Sequence, residues 1–321
     1  MASTLVPAIR ARWPDAELGW VVGSGAAPLV RLMEGVDRVI EIDDGALLGG
    51  NRFSAVGALV SAWRTIGRGW DLALVAHTDA RYALLSRVSG ADTVRRFADG
   101  RAPRTLRWHG AEYLRLLSDG TPSADNGGEL APRFASLALD GLPDAPRIEG
   151  SGRLIVVAPG GGRNVLRDDH LRRWPIRSWE VVVADLVARG HRVVAVGGGS
   201  DRAEGKRCAN AGAVDLTGQT SMLQLVALLR KADAVVTHDA GTLHLGLLLG
   251  TPIVALFGPT RPEERIPAWA RATIVSRAAG LACAPCYDGR DYAACALNRC
   301  LSDAPAAAVL TAVDEQLANY R

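Results

Sequence analysis

The chain has 321 residues, of which 48% are hydrophobic and 22% charged, the balance of an ordinary globular protein. Its formal net charge of +3 is small for this length, so it does not predict nucleic-acid binding, although acidic substrates are compatible with it. The sequence contains no run of about 18 apolar residues and no charged start followed by an apolar stretch. We therefore predict neither a membrane span nor a secretory signal, and we expect a cytoplasmic protein.

The first half of the chain alternates short apolar runs with amphipathic stretches. Predicted strands lie at residues 18–22, 39–42 and 72–76, and predicted helices at residues 3–12, 53–66, 81–88 and 110–117. Strands that alternate with helices predict parallel βαβ units. The pattern loosens over residues 118–152, with loop composition at residues 121–128, and this places a domain boundary at about Gly150.

The second half begins the same alternation again. Predicted strands lie at residues 154–158, 193–196, 234–237 and 253–257, and predicted helices at residues 179–189, 221–229, 241–249 and 306–320. This pattern predicts an α/β fold with two Rossmann-like domains, residues 1–149 and 150–305. We expect the terminal helix, residues 306–321, to pack back on the first domain.

The strongest motif joins the end of a predicted strand to the start of a predicted helix. It reads HDAGTLHL from His238 to Leu245 and continues as LGTPIVALFGPT from Leu249 to Thr260. Asp239 stands at the expected N-cap of the helix, and Gly241 lets the backbone approach a ligand closely. The N–H groups and positive dipole end of such a helix suit a diphosphate, and His244 lies one turn further along. A plain capped helix with a core-facing histidine fits the same residues.

This motif resembles the donor-binding signature of glycosyltransferase family 9, the heptosyltransferases. Members carry Asp, then Ser or Thr, then Gly-x-x-His-Leu, a small apolar helix and Gly-Thr-Pro-(Val or Ile)-Val-Ala-Leu-Phe-Gly-Pro-Thr. Ala240 replaces the hydroxyl residue, which would weaken one contact to the sugar or phosphate. The resemblance implies that Asp239, Ala240, Gly241, Thr242 and His244 bind a nucleotide-sugar donor. It also implies two Rossmann-like domains that face a cleft, the GT-B architecture.

Two glycine-rich strand ends in the second half fit the same resemblance. Pro159–Gly162 closes the first strand of that half, where the backbone of Gly160 and Gly161 can approach a diphosphate. Gly197–Asp201 resembles the strand-end loop that the family carries beside the nucleotide. Glu204 then matches an acidic residue near the ribose, and a carboxylate can accept hydrogen bonds from ribose hydroxyls.

A pair of arginines in RRWP, at residues 172–175, resembles a basic-basic-Trp-Pro segment of the family. In the family a basic residue of this segment faces the donor phosphates, which implicates Arg172 and Arg173. A solvated basic start of a helix is the alternative.

The first half also resembles the family. PAIRARWPDAEL, at residues 7–18, matches a Pro-Ala-Leu-Arg and Pro-Asp-Ala stretch, with Trp13 in place of a common Phe. HTDAR, at residues 77–81, lies where the family carries a polar turn near the acceptor. Arg81 would hold an acceptor phosphate or carboxylate, with His77 beside it. An exposed helix arginine is the alternative.

The start of the chain departs from the family pattern. The family places a strand and a Gly-Asp pair before the stretch that resembles residues 3–14, and that aspartate is regarded as the general base. Here the chain begins at Met1, where Gly-Asp would just have ended, so we assign no catalytic residue. Loss of a central strand would remove ladder hydrogen bonds from both neighbouring strands. Three explanations stay open: an internal methionine of a longer protein, which we favour; a shortened chain; or a protein that has lost the strand and changed or lost activity.

Four of the five cysteines crowd into one short segment, and Cys208 stands apart as a helix or core residue. In a reducing cytoplasm such crowding, with a leading Cys-x-x-Cys, favours a metal over disulfides. We predict a structural zinc or iron in the loop at residues 281–301, with reduced buried thiols as the alternative. The family catalyses without a metal, so we expect no catalytic cofactor. The four residues are Cys283, Cys286, Cys295 and Cys300.

The resemblance implies an inverting glycosyltransferase. The donor would be ADP-heptose, bound by the second domain, and the acceptor a lipopolysaccharide core sugar or another glycan, bound by the first. We expect no nucleic-acid partner and at most peripheral contact with a membrane. Another nucleotide-sugar enzyme of the same architecture, such as an epimerase, and a catalytically impaired homologue that keeps the donor pocket stay open as alternatives. A NAD-dependent dehydrogenase is disfavoured, because no Gly-x-Gly-x-x-Gly opens a helix after the first strand.

Overall fold

The computed structural model describes residues 1–49, 51–77, 79–97, 108–118, 132–161, 168–288 and 291–319. The chain forms two compact units, Met1–Asp140 and Gly141–Arg321. The division thus lies upstream of the boundary expected at Gly150. Among the predicted features, the loop at residues 121–128 and the residues Thr78 and Gly162 lie outside the described residues.

The first unit contains two parallel strand pairs with helices between them. Strand β1 (Gly19–Gly23) pairs with β2 (Arg38–Ile42), and β3 (Leu72–Val75) pairs with β4 (Thr93–Arg96). In the described part of this unit, the pairs form two separate two-stranded sheets. Ile40 and Ile42 of β2 are buried against Ile66 of a long helix. The helices of the unit are α1 (Leu5–Arg12), α2 (Ala27–Val30), α3 (Asp44–Gly49), α4 (Arg52–Ile66), α5 (Ala80–Val88) and α6 (His109–Tyr113).

The second unit contains one six-stranded sheet whose described pairs are all parallel. Its order is β7-β6-β5-β8-β9-β10, and every residue of β5, β8 and β9 is buried, as in a sheet covered on both faces. The chain order reverses between β5 and β8, and open α/β sheets bind ligands beyond the carboxyl ends of the strands at such a switch point. The strands are β5 (Leu154–Ala158), β6 (Arg192–Ala195), β7 (Val214–Asp215), β8 (Ala234–His238), β9 (Ile253–Phe257) and β10 (Ala272–Ser276).

The helices of the second unit cover this sheet. Trp179 and Val183 of the first of them are fully buried against the strands. None of the helices that the structure describes is long and apolar enough to cross a membrane. The helices are α7 (Ile176–Ala188), α8 (Arg202–Asn210), α9 (Met222–Lys231), α10 (Gly241–Leu249), α11 (Pro262–Arg265), α12 (Arg299–Ser302) and α13 (Ala306–Asn319).

The terminal helix α13 packs on the sheet of the second unit, and the expected contact with the first unit stays a prediction. Val309 and Val313 are buried in the same core cluster as α7, and Gln316 donates a hydrogen bond to Thr273 of β10 at 2.8 Å. The apolar stripe of α13, which includes Val309 and Val313, thus covers the sheet of its own unit. Cys208 of α8 lies in this core as predicted, and burial raises its pKa to about 12.

Candidate functional site

The carboxyl ends of β5 and β8 meet at the switch point of the sheet. The two strands run in register as far as Ala158 and Thr237, which brings the turn after β5 beside the segment after β8. Gly161 in this turn has a φ of +98°, and a Cβ built there would lie 2.9 Å from the Cβ of Ala240. Both observations require glycine, because a larger residue would be strained and would crowd Ala240. The backbone of the turn therefore lies directly against the start of α10.

Helix α10 begins without a capping side chain. Its N-cap is Ala240, which has an extended backbone and makes no side-chain cap hydrogen bond. The sequence led us to expect Asp239 at this position, but its carboxylate faces arginines instead. Gly241 is exposed and Thr242 half-buried in the first turn. The amides of the first turn consequently receive no acceptor from the side chain of the N-cap residue, which suits the binding of an anion.

Asp239 is the centre of a buried charge cluster. Its side chain is 3% exposed, and its carboxylate oxygens lie 3.4 Å from Nε of Arg265, 3.8 Å from Nη1 of Arg172 and 3.9 Å from Nε2 of His244. Burial alone would raise the pKa of this carboxyl, but the charges of Arg265 and Arg172 hold the pKa below its usual value. The carboxylate is therefore ionised at neutral pH and keeps two guanidinium groups beside the start of α10.

His244 lies one turn into α10, with part of its ring open to solvent. Its side chain is 29% exposed, while Nδ1 is buried and has no hydrogen-bond partner among the described residues. Desolvation lowers the pKa of His244 to about 4, so the imidazole is neutral at pH 7. A neutral imidazole offers one donor and one acceptor nitrogen. His244 is thus not sealed in the core, and its contact with a donor stays a prediction.

His238, the last residue of β8, ties the strand ends together. It is 1% exposed; its Nδ1 lies 3.2 Å from the carbonyl oxygen of Gly160, and its Nε2 accepts a hydrogen bond from the amide of Trp174 at 2.8 Å. This pattern assigns the proton to Nδ1, which donates to Gly160. Burial lowers the pKa of His238 to about 4, so the ring stays neutral. Its role is to hold the glycine turn and the segment before α7 in place.

The two arginines predicted to face donor phosphates are both largely buried, with side chains 19% and 16% exposed. They lie at and just after a short 3-10 turn, His170–Arg172, and before helix α7 begins. Arg172 donates from Nη1 to the main-chain oxygen of Asp239 at 3.3 Å, and Arg173 donates from Nε to that of Gly161 at 3.0 Å. These contacts contradict the alternative of a solvated helix start and bring both arginines to the switch point.

A second glycine-rich strand end is joined to the first by Asp201. This buried carboxylate accepts hydrogen bonds from the amides of Gly161 at 3.1 Å and Gly198 at 2.9 Å. Glu204 lies in the first turn of α8, beyond the carboxyl end of β6, and is half-buried. It therefore belongs to the neighbouring strand end, and its proposed contact with a ribose stays a prediction.

In the first unit, Arg81 is held by the carboxylate that caps its own helix. Its Nε and Nη2 donate to Asp79 at 2.9 and 2.7 Å, and its Nη1 donates to the carbonyl oxygen of Leu48 at 2.6 Å. The hydrogen bonds from Arg81 lower the pKa of Asp79 to about 2. His77 accepts a hydrogen bond from the amide of Asp79 and stacks on Tyr82. These contacts neither support nor oppose a role in acceptor binding, so that role of Arg81 and His77 stays a prediction.

The four cysteines of the predicted metal loop are neighbours. Cys283 and Cys295 are exposed, Cys286 is half-buried and Cys300 is buried. Burial raises the pKa of Cys300 to about 11, and the charges of the other three thiols add to the effect. Among the described residues, however, no three metal-ligating side chains are arranged to hold an ion. The structural metal therefore stays a prediction.

Three residues of this site were given no individual role from the sequence, although Thr260 was part of the motif. Arg265 lies 3.4 Å from Asp239, Thr260 faces the same carboxylate, and the hydroxyl of Tyr292 accepts a hydrogen bond from Nε of Arg172 at 2.6 Å. Thr260 is the last residue of the segment FGPT, and Arg265 follows that segment by five residues, so the motif could have indicated both. Tyr292 lies in the cysteine-rich loop, and nothing in its sequence context pointed to the switch point.

Part of the second unit of this chain matches a known protein family. Residues 149–296 match the model of a family described as glycosyltransferase family 9 (heptosyltransferase). A curated relative, lipooligosaccharide heptosyltransferase 2 of Haemophilus influenzae, is 22% identical over 306 residues, covering 86% of this chain and 84% of the relative.

Two solved structures share the fold. E. coli ADP-heptose lipopolysaccharide heptosyltransferase II has 19% identity and a TM-score of 0.73, covering 99% of this chain and 94% of that chain. An E. coli heptosyltransferase solved with ADP has 17% identity and a TM-score of 0.69, covering 98% of this chain and 95% of that chain. These likenesses confirm the predicted α/β fold of the GT-B type.

Proposed function

We propose that this chain, whose residues 149–296 match the model of glycosyltransferase family 9, transfers a heptose from ADP-heptose to a lipopolysaccharide core sugar. The names of its relatives supply this donor and this class of acceptor. The observation that carries the proposal is the cluster of Asp239, Arg265 and Arg172 beside the uncapped start of α10, at the switch point of the sheet.

The diphosphate of the donor would lie where α10 begins. Three features support this position: the open amides of the first turn, the close backbone of Gly160 and Gly161, and the guanidinium groups held beside them. Asp239 contributes indirectly, since its charge keeps Arg172 and Arg265 fixed before a ligand arrives. Groups fixed in this way need no reorganisation when charge develops on the ligand.

In the proposed reaction, an acceptor hydroxyl attacks the anomeric carbon, and ADP leaves with the bonding electron pair. A base takes the proton of the hydroxyl, and Arg172 and Arg173 stabilise the negative charge on the departing diphosphate. The neutral ring of His244 would hydrogen-bond the sugar or the diphosphate, Glu204 the ribose, and the first unit would bind the acceptor through Arg81 and His77. Inversion at the anomeric carbon follows from a single displacement.

Titration calorimetry with ADP tests the donor half of the proposal. His244→Ala and Asp239→Ala should each lower the affinity for ADP by about tenfold or more, because hydrogen bonds to charged groups contribute about 1.5–3 kcal/mol. His191→Ala is the matched control, since His191 precedes β6 at the opposite, amino edge of the sheet. Unchanged ADP affinity in the first two variants, or an equal loss in the control, would contradict the proposed donor site.

Product analysis separates transfer from the two alternatives. Incubation with ADP-heptose alone should leave the sugar of the donor unchanged, whereas an isomerised donor would identify an epimerase. Tight ADP binding without transfer to any lipopolysaccharide core acceptor would identify a donor-binding protein instead.

A further inference from the structure

The guanidinium group of Arg172 has a partner on each of its three nitrogens. Nε donates to the hydroxyl oxygen of Tyr292 at 2.6 Å, Nη1 to the main-chain oxygen of Asp239 at 3.3 Å, and Nη2 lies 3.1 Å from the carboxylate of Asp169. A planar guanidinium with contacts on all three sides is fixed in orientation as well as in position. Asp169 precedes the 3-10 turn that carries Arg172, and Asp239 follows β8, whereas Tyr292 comes from the cysteine-rich loop.

Tyr292 is presented to Arg172 by a short hairpin. Tyr287 and Tyr292 form an antiparallel bridge, and the amide of Ala293 donates to the carbonyl oxygen of Cys286 at 3.3 Å. Directly opposed residues of such a pair project to the same side, and the two rings lie 4.8 Å apart. The guanidinium carbon of Arg172 lies 5.7 Å from the centre of one ring and 5.9 Å from the other, within the range of a cation–π interaction.

The hairpin is anchored to the segment that follows β9, the strand beside β8. The amides of Cys286 and Tyr287 both donate to the carbonyl oxygen of Pro259, at 3.1 and 3.0 Å. Pro259 is the second residue after the end of β9, and β9 is the neighbour of β8 in the sheet. The position of the tyrosines is therefore set by the same sheet edge that positions Asp239.

We propose that Tyr292 is a positioning residue for donor binding, whose hydroxyl holds Arg172 in the orientation that meets the donor diphosphate, and that the cysteine-rich loop is thereby part of the donor site. The proposal rests on the proposed function, because it assigns Arg172 to the diphosphate. Without the hydroxyl, Nε of Arg172 loses its acceptor in a half-buried setting and the guanidinium can rotate about its long side chain.

Tyr292→Phe tests the proposal, with Tyr287→Phe as the matched control. Each variant removes one hydroxyl from the same hairpin and keeps both rings, but only the first removes the acceptor of Arg172. Tyr292→Phe should raise the KM for ADP-heptose about three- to tenfold, with a smaller change in kcat. Tyr287→Phe should stay within about twofold of the wild type, and the Tm of each variant should show that it is folded under the assay conditions.

Side-chain NMR gives a readout that does not depend on the enzyme reaction. The Nε–H of Arg172, assigned by its loss in Arg172→Lys, should be protected from solvent exchange in the wild type and in Tyr287→Phe, and should lose that protection in Tyr292→Phe. Equal protection in both phenylalanine variants, or equal KM values, would overturn the positioning role. If the wild type does not use ADP-heptose, the proposed function fails, while this NMR comparison still decides whether Tyr292 fixes Arg172.

Discussion

Replacement of Arg265 by methionine should unbalance the buried charge at the centre of the site. The Asp239 carboxylate is 3% exposed and lies 3.4 Å from Nε of Arg265, whose side chain is 10% exposed. At an effective dielectric constant of about 20, their attraction amounts to about 5 kcal/mol. Removal of one partner of a buried pair costs about 3–5 kcal/mol. We therefore expect Arg265→Met to lower the free energy of unfolding at pH 7 by about that amount.

The pH dependence of this loss distinguishes charge from packing. In the wild type the pKa of Asp239 is lowered, so its contribution to stability is present above the unfolded-state pKa and is lost as the pH falls through the folded-state value. In Arg265→Met the desolvation of the carboxyl has less opposition, so its pKa should rise. The variant then loses stability as the pH rises from about 4, the ordinary pKa of Asp. The difference between the two proteins should be largest near pH 7 and should shrink towards pH 4.

Urea unfolding at pH 7 and pH 4, monitored by tryptophan fluorescence, measures this difference. The double variant Arg265→Met with Asp239→Asn should recover much of the loss at pH 7, because no buried charge remains unbalanced. Arg207→Met is the control, since Arg207 pairs with Glu180 on the exposed surface of the same unit. An equal loss at both pH values, together with no recovery in the double variant, would refute the electrostatic account.

Three further predictions concern the surrounding residues. Gly161→Ala should lower the free energy of unfolding by about 1–3 kcal/mol, because Gly161 has a positive φ and lies against Ala240. It should also weaken ADP binding. An unchanged ADP affinity in titration calorimetry would contradict the proposed approach of this turn to the diphosphate. The pKa of His238 is lowered to about 4, so this residue alone should make wild-type stability fall by up to about 3 kcal/mol between pH 6.5 and pH 4. His238→Asn should remove that part of the slope and leave the part that His244, whose pKa is also lowered to about 4, contributes. An unchanged slope would count against a neutral buried ring at residue 238. Metal analysis should find about one equivalent of zinc plus iron in the protein as purified, and less than about one-tenth would exclude the structural metal. Its predicted ligands are Cys283, Cys286, Cys295 and Cys300.

The sequence predicted the central elements of the fold because their patterns are strong. The apolar runs that became β5, β8 and β9 are buried throughout, and such runs between turn signals are typical of strands in a parallel sheet. Three of the four residues of strand β4 (Thr93–Arg96) are polar and the strand is mostly exposed, and helix α8 buries only Gly205 and Cys208. Neither element carries a clear apolar period, so neither could be predicted.

The sequence indicated those residues of the candidate site that belong to recognisable motifs. The HDAGTLHL motif indicated Asp239 and His244, and the RRWP segment indicated Arg172 and Arg173. All four residues lie at or near the switch point, and their contact with a donor stays a prediction. The N-cap was misplaced by one residue, because the carboxylate of Asp239 interacts with buried arginines rather than with the amides of α10.

The supporting contacts could not be predicted, because they depend on tertiary packing. The two ring nitrogens of His238 join two backbone segments, and nothing in the motif around His238 indicates these contacts. Tyr292 reaches Arg172 from a loop 120 positions away in the sequence, and no local pattern predicts such a pair.

The most direct test of the central claim is a transfer assay. The protein would be incubated with ADP-heptose and a lipopolysaccharide core acceptor that lacks heptose, and the acceptor would then be analysed by mass spectrometry and NMR. We predict release of ADP, a gain in acceptor mass of one heptose and inversion of the anomeric configuration. Binding of ADP-heptose with no gain in mass on any such acceptor would contradict the account.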